Sequence, residues 1–290
     1  MNTLPARNGV NGKICLVTGA TAGIGQVTAT ALAAQGAEVI ITGRNPQKTE
    51  QTVRQIKSET GNEAVQSLSA DFSNLEQVRA LAVAFKDRFP RLDVLVNNAG
   101  AFFNTRQATP YGVEMTFLVN HLSPFLLTNL LLDPLQASAS ARIVNVASDA
   151  HQYDKMDFED LGFQHGYFSF KAYARSKLAN VLFTYELARR LGADRVTVNA
   201  LHPGHVATDI WKTNFSVFGP PLKWIMGFFS LTPAQGADNS IYLASAPDVE
   251  GITGKYFVKR EAVQSAPISY DEKVTRRLWE LSESLTSIHQ

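Results

Sequence analysis

The chain has 290 residues, of which 45% are hydrophobic and 18% charged, and its 27 basic and 26 acidic side chains leave a formal net charge of +1. That balance excludes a disordered chain, which would be more charged and less apolar, and a phosphate-reading nucleic-acid binder, which would carry a basic excess. The length admits one large domain or two small ones, and an α/β domain of this size can bury roughly 75% of its unfolded surface.

After a polar N-terminal tail (residues 1–12), Ile14–Val17 is a short apolar run ending in Thr18-Gly19, which predicts a buried strand. A helix is predicted from Gly23 to Gln35, stopped by Gly36, and a second strand over Glu38–Thr42. Asn45-Pro46 is an N-cap followed by proline at the first helical position, so helix should run to about Thr60. A weaker strand follows at Ala64–Leu68, a helix at Asn74–Arg88 and a strand at Val94–Val96. A long helix is expected over Tyr111–Leu132, bent near Pro124. Arg142–Val146 and Val196–Ala200 are further strands, separated by a helix over Phe168–Leu191. Pro233–Ala244 reads as helix, Lys255–Val258 as a last strand and Asp271–Ser284 as a terminal helix. Short apolar strands alternating with helices imply a single α/β domain: a doubly wound parallel sheet of about seven strands, covered on both faces. Two segments break the rhythm, 149–166 and 203–231.

Thr18 to Gly25 joins the first strand to the first helix with the spacing G-x-x-x-G-x-G. Glycines there let the backbone approach a pyrophosphate whose charge sits at the positive end of the helix. The second strand ends in Thr42-Gly43-Arg44-Asn45, with a guanidinium where an acid would bind a ribose 2′-hydroxyl. A charge-assisted contact to a 2′-phosphate is worth about 1.5–3 kcal/mol, so NADP(H) is favoured over NAD(H). An unadorned solvated arginine is the competing reading.

Two Tyr-x-x-x-Lys spacings lie close together, Tyr167 with Lys171 and Tyr173 with Lys177. Residues i and i+4 share a helix face, and an ammonium beside a phenol favours the phenolate. Lowering a phenol from about 10 to near 7 takes roughly 4 kcal/mol, which a lysine together with an oxidised nicotinamide could supply.

Ala172–Asn180 resembles the active-site helix of the short-chain dehydrogenases/reductases, and other matches follow in the family's order. Thr18–Gly25 resembles its glycine turn, Asp71-Phe72 its adenine-contacting pair, and Asn97-Asn98-Ala99-Gly100 its N-N-A-G motif. Asn120 falls at its helix asparagine, Ser148 follows the fifth strand, and Pro203-Gly204-x-Val206-x-Thr208 resembles its nicotinamide-contacting loop. Within the family, Ser176–Asn180, Leu201–Gly204, Gly254–Phe257 and Arg277–Trp279 are most similar to the retinol-dehydrogenase and WW-domain-oxidoreductase branch.

The resemblance implies that Tyr173 is the general acid, that Lys177 depresses its pKa and holds the nicotinamide ribose, and that Ser148 hydrogen-bonds the substrate oxygen. It also implies that Asn120 holds a water in a relay towards Lys177. The cofactor contacts it implies are Gly19, Thr21, Gly23, Ile24, Gly25, Arg44, Asp71, Phe72, Asn98, Ala99, Gly100, Tyr173, Lys177, Pro203, Gly204, Val206 and Thr208. Ser148 and Tyr173 are 25 residues apart, about twice the spacing of many family members, and the excess is the insertion 149–166. If the extra length is not an insertion, Tyr167, 19 residues after Ser148, is the alternative acid.

Residues 211–229 carry ten large apolar side chains, including two of the three tryptophans. A lid so apolar suggests a small apolar carbonyl or alcohol as substrate; packing on the protein itself, on a second subunit or on a membrane surface would use the same residues. His202 and His205 lie close together without a third ligand, so no metal is expected. His121 reads as a core or relay neighbour. Cys15, the single cysteine, excludes an internal disulfide; its mid-strand position predicts an inert thiol, and the composition suits a reducing cytosol. Nothing approaches about 18 consecutive apolar residues, so no transmembrane segment is expected. The reading is an NAD(P)-dependent oxidoreductase of the cytoplasm, able to form homo-oligomers, that reduces an apolar aldehyde or ketone with NADPH. A cofactor-binding scaffold or redox sensor with little turnover is the alternative.

Overall fold

In the computed structural model, residues 8–192, 195–204 and 231–287 are described. The apolar runs form strands where their pattern predicts them: β1 (Ile14–Val17), β2 (Glu38–Gly43), β3 (Val65–Ser69), β4 (Val94–Asn97), β5 (Ala141–Val146), β6 (Val196–His202) and β7 (Lys255–Val258). These pair in parallel in the order 3-2-1-4-5-6-7. Alternate side chains point to opposite faces. Ile14, Leu16 and Leu95 join the core on one face, whereas Cys15, Val17, Val94 and Val96 join the core on the other. Such continuous apolarity is what a sheet buried on both sides requires.

Helices α1 (Gly23–Ala34), α2 (Pro46–Thr60) and α3 (Leu75–Arg88) follow the first three strands. Asn45 caps α2 through a bond from Lys48 N, and Asn74 caps α3 through bonds from Glu76 N and Gln77 N. The long helix α7 (Ser169–Leu191) buries Tyr173, Ser176, Lys177, Asn180 and Thr184 on one face. It ends at Gly192, with Arg189 and Arg190 in its last turn. Helices α8 (Pro233–Ser245) and α9 (Glu272–Thr286) complete the two layers. Among the described residues no helix is long and apolar enough to cross a membrane.

Four expectations change. The helix expected from Tyr111 begins at Met115, because Glu114 is buried and its carboxylate caps the new start through Thr116 N at 2.7 Å. Helix then runs in pieces: α4 (Met115–Phe117), a π-helical turn (Leu118–Leu122), α5 (Ser123–Leu130) and α6 (Leu132–Gln136). The expected bend is thus a widened turn just before Pro124, which has no N–H to offer the Asn120 carbonyl. An eighth strand, β8 (Glu261–Val263), pairs antiparallel with β7. Its two-residue hairpin places Lys259 and Arg260 at φ 50° and 68°, without the glycine or asparagine that signals such a turn. Arg260 is held there by Asp238 and by Asn239, which accepts its backbone N–H at 3.2 Å. Finally, residues 8–12 are no free tail: Val10 is fully buried, and a Cβ on Gly9 would fall 1.9 Å from the Ser245 carbonyl oxygen.

Candidate active site

The strand order reverses beside β1, whose neighbours are β2 and β4. At the carboxyl ends of the strands this reversal opens a crevice. A cleft of about 1320 Å³ lies there, more than the roughly 300–1,000 Å³ of an ordinary small-molecule pocket. Its walls include Gly19, Thr21, Gly23, Ile24, Gly25, Arg44, Asp71, Phe72, Asn98, Ala99, Gly100, Ser148, Tyr173, Lys177, Pro203 and Gly204. Residues drawn from seven separate motifs therefore meet in one place. Val206, Thr208, His205 and the apolar segment 211–229 lie outside the described residues.

At one end, the turn after β1 is braced from β4. Thr18 Oγ1 accepts from Asn98 N and Ala99 N, both at 3.0 Å, and Asn98 Nδ2 donates to the carbonyls of Thr18 and Gly19. Gly19 sits at φ 63°, where a Cβ would lie 2.7 Å from Ala99 Cα, and a Cβ on Gly25 would meet Asn98 Nδ2 at 2.4 Å. These glycines let two backbones close on each other. The first turn of α1 has no side-chain cap, so its N–H groups are presented at the cleft, where Gly23, Ile24 and Gly25 line the wall. Uncapped donors at a positive helix end suit a pyrophosphate. Arg44, exposed, lines the same end and is joined there by Lys48, which sequence reasoning missed.

At the other end, Ser148 follows β5 and Tyr173 and Lys177 rise from α7; these three are, respectively, 9%, 9% and 5% exposed. Lys177 Nζ donates to the Val146 carbonyl at 2.8 Å and lies 5.5 Å from the centre of the Tyr173 ring. Burial pulls the Lys177 ammonium down to about 8. Burial pushes the Tyr173 phenol up to about 12; a hydrogen bond with Ser148 works against that, and the Asp149 charge adds to it. In the protein alone the phenol is thus held protonated, opposite to the depression expected from Lys177. The reason is that desolvation of the phenolate outweighs a lysine already committed to a carbonyl.

A polar ladder fixes these elements relative to one another. Asn97 Nδ2 bonds Thr128 Oγ1 and Asn145 Oδ1, and Asn145 Nδ2 bonds Thr184 Oγ1 on α7. Asn120, fully buried, stands behind the cleft and does not line it. Its amide is committed to Ala101 N and O and to Ser176 Oγ. Tyr167 precedes α7, does not line the cleft, and donates its hydroxyl to the Phe103 carbonyl at 2.5 Å, so it shares no helix face with Lys171.

The sequence reading missed further walls: Phe102, Phe103, Met115, Val119, Tyr153 and Phe170. Phe102 and Phe103 follow the N-N-A-G motif after a single residue, Ala101, which was their available signal. Tyr153 belongs to the insertion, whose fold no motif announced. His121 is a core residue: its Nε2 meets Ser282 Oγ at 2.9 Å among Phe117, Phe125 and Phe183, and burial holds its pKa down at about 3. Cys15 is buried, with its thiol pushed up by desolvation. Among the described residues no group of three His, Cys, Asp or Glu side chains is placed to hold a metal.

The short chain dehydrogenase family model matches residues 13–217. The chain belongs to the short-chain dehydrogenases/reductases. Retinol dehydrogenase 14 of Mus musculus is 43% identical to this dehydrogenase, over 96% of the chain and 87% of its own length. Retinol dehydrogenase 13 of Homo sapiens is 41% identical, over 98% and 87%. The dehydrogenase thus falls in the retinol-dehydrogenase-like branch of NAD(P)-dependent oxidoreductases acting on alcohol and carbonyl groups. A short chain dehydrogenase from Escherichia coli CFT073, complexed with NADPH, superimposes with a TM-score of 0.69 at 29% identity, covering 87% of this chain and 98% of that one.

Proposed function

We propose that this protein reduces an apolar aldehyde or ketone with NADPH, reversibly oxidising the matching alcohol. The observation that carries the reading is the meeting of Ser148, Tyr173 and Lys177 with an apolar wall in one cleft, whose other end presents Arg44. When bound, the cofactor supplies or accepts the hydride. The uncapped start of α1, with Gly19, Thr21, Gly23, Ile24 and Gly25, would hold the pyrophosphate. Asp71, Phe72, Asn98, Ala99 and Gly100 would hold the adenosine and inner ribose, and Pro203, Gly204, Val206 and Thr208 the nicotinamide end. Arg44, with Lys48 beside it, would bind the 2′-phosphate; the NADPH complex of the structural neighbour supports this choice.

Tyr173 gives its phenolic proton to the substrate oxygen as the carbonyl becomes an alkoxide, and Ser148 orients that oxygen. Such steps contribute about 10²–10⁴-fold. Lys177 would hold the ribose and, in the reverse direction, steady the phenolate. The Asn120 amide is already engaged, so its part in a water relay falls to its backbone carbonyl, which Pro124 leaves without the usual donor. Phe102, Phe103, Met115, Val119, Tyr153 and Phe170 favour an apolar substrate, in keeping with relatives named retinol dehydrogenases.

The test is a set of initial rates with NADPH and NADH on carbonyls running from short polar ketones to retinal and steroid ketones, for wild type and Arg44→Asp. NADPH turnover concentrated on bulky apolar members is expected. The variant should lose about 10- to 100-fold in NADPH kcat/KM, the factor for one charge-assisted contact, with NADH little affected. Equal use of both cofactors by wild type would overturn the assignment of Arg44.

A further inference from the structure

The residue after Ser148 is a carboxylate. Asp149 lines the cleft beside Ser148 and Tyr173, with its side chain about one-third exposed at 32%. Ser148 Oγ donates to Asp149 Oδ1 at 3.1 Å and accepts the Ala150 N–H at 3.2 Å. The charged and titratable groups around this pair come from four elements. From α7 come Tyr173 and Lys177, the latter bound to the Val146 carbonyl. From the 3-10 turn Asp149–Gln152 comes His151, whose Nε2 accepts the Ala266 N–H at 3.0 Å, leaving Nδ1 to donate to the Ser148 carbonyl at 2.6 Å. That tautomer is neutral. From β6 comes His202, whose Nδ1 accepts the Asp149 N–H at 3.2 Å and lies 3.7 Å from Asp149 Oδ1. From β7 comes Tyr256, its ring 4.7 Å from that of His151.

We propose that Asp149 is a positioning residue that keeps Tyr173 in its protonated, proton-donating form and so biases the enzyme towards carbonyl reduction. The proposal rests on Tyr173 being the acid, as argued above. A serine hydroxyl has one proton. While that proton points at Asp149 and one lone pair takes the Ala150 N–H, the remaining lone pair of Ser148 can accept from the Tyr173 O–H. In alcohol oxidation the alcohol loses a hydride to the oxidised nicotinamide and its hydroxyl proton to the Tyr173 phenolate; reduction reverses both transfers. To steady that phenolate, Ser148 must turn its proton away from the carboxylate. The carboxylate also repels a second anion close by. Both effects have the same sign, and the Asp149 charge is among the causes that push the phenol upward.

Asp149→Asn keeps the shape and removes the charge, and Asp149→Glu restores the charge. The first readout is an ultraviolet difference titration of the Tyr173 phenol with NADP⁺ bound, each variant against the same variant carrying Tyr173→Phe. Asp149→Asn should lower the midpoint by about one pH unit, the low end of the effect of a neighbouring charge, and Asp149→Glu should stay near wild type. The acid limb of kcat/KM for alcohol oxidation should move with it, a rise of about fivefold one unit below the wild-type midpoint and about tenfold well below both midpoints. Asp149→Ser serves as a second charge-free variant if the asparagine protein does not fold. A midpoint unchanged in Asp149→Asn, or shifted equally in Asp149→Glu, overturns the proposal while leaving Tyr173 as the acid. Turnover retained by Tyr173→Phe overturns the acid assignment and the proposal with it.

Discussion

Replacing Arg175 by methionine should loosen the wall of the cleft from the helix that carries Tyr173 and Lys177. Arg175 lies between Tyr173 and Lys177 on α7, and its Nε meets Asp154 Oδ2 at 3.0 Å with the two side chains 7% and 8% exposed. Its Nη1 also donates to the Asp160 carbonyl at 2.7 Å, and the guanidinium sits 4.1 Å over the Phe163 ring. All three partners belong to the insertion 149–166, so one side chain staples that segment to α7. Methionine keeps the apolar stem but strands the Asp154 carboxylate, and breaking a buried pair from one side costs about 3–5 kcal/mol. For a domain of this size that is a fall of roughly 6–10 °C in Tm. Adding Asp154→Asn should recover about 1–2 kcal/mol, because the stranded charge is gone. The assays are urea denaturation of the four proteins of the cycle and steady-state kinetics. Tyr153, next to Asp154, lines the cleft, so KM for the carbonyl should rise several-fold while cofactor affinity holds. A loss below about 1 kcal/mol with no coupling would mean that the pair behaves like a surface ion pair, and the staple argument would fall.

Three further outcomes follow from the geometry. Tyr173→Phe should abolish turnover and preserve cofactor affinity, while Tyr167→Phe, whose hydroxyl donates to the Phe103 carbonyl and does not line the cleft, should retain turnover; rates and cofactor fluorescence titration distinguish them. Gly25→Ala should weaken cofactor binding at least tenfold by titration, because the added methyl meets Asn98 Nδ2 at 2.4 Å and the Gly19 carbonyl oxygen at 2.6 Å in the turn that approaches the pyrophosphate. Undiminished affinity would show that the turn can open. His121, held down at about 3, binds its proton far more readily once unfolded, so its contribution to stability is complete above pH 6.5 and is lost as pH falls towards 3. At pH 5 that loss is about 2 kcal/mol from 1.36 kcal/mol per unit. His151, also lowered by burial, adds to it with the same sign. His121→Asn should show a shallower acid limb in urea denaturation between pH 7 and 5 than wild type, and an identical limb would argue against a neutral buried ring.

Much of the architecture was legible because its signals are local. The limits of β1, α2 and α3 follow from an apolar run, an Asn45-Pro46 cap and an Asn74 cap, each acting within a few residues. The glycine turn and the Tyr173–Lys177 spacing were legible for the same reason. Features whose cause lies far along the chain were not. The hairpin at Lys259-Arg260 is held by Asp238 and Asn239 on α8, respectively 22 and 21 residues upstream of Arg260. The late start of the helix at Met115 depends on a buried Glu114 whose backbone N–H reaches the Leu161 carbonyl in the insertion. Asn120, which motif order places with the catalytic set, turned out to brace Ala101 and Ser176 with its amide.

The sequence by itself determined the doubly wound α/β architecture, because strand period, helix caps and glycine turns are set by neighbouring residues, and its motifs, through their resemblance to the short-chain dehydrogenases/reductases, implied an oxidoreductase. Only the tertiary structure decided how those motifs act together. It brought Tyr173 and Lys177 into a buried wall where desolvation drives their protonation in opposite directions, set a carboxylate against Ser148, and fastened the insertion to α7 through Arg175. Desolvation and charge–charge distance are properties of the assembled fold, and residues adjacent in space but remote in sequence carry them.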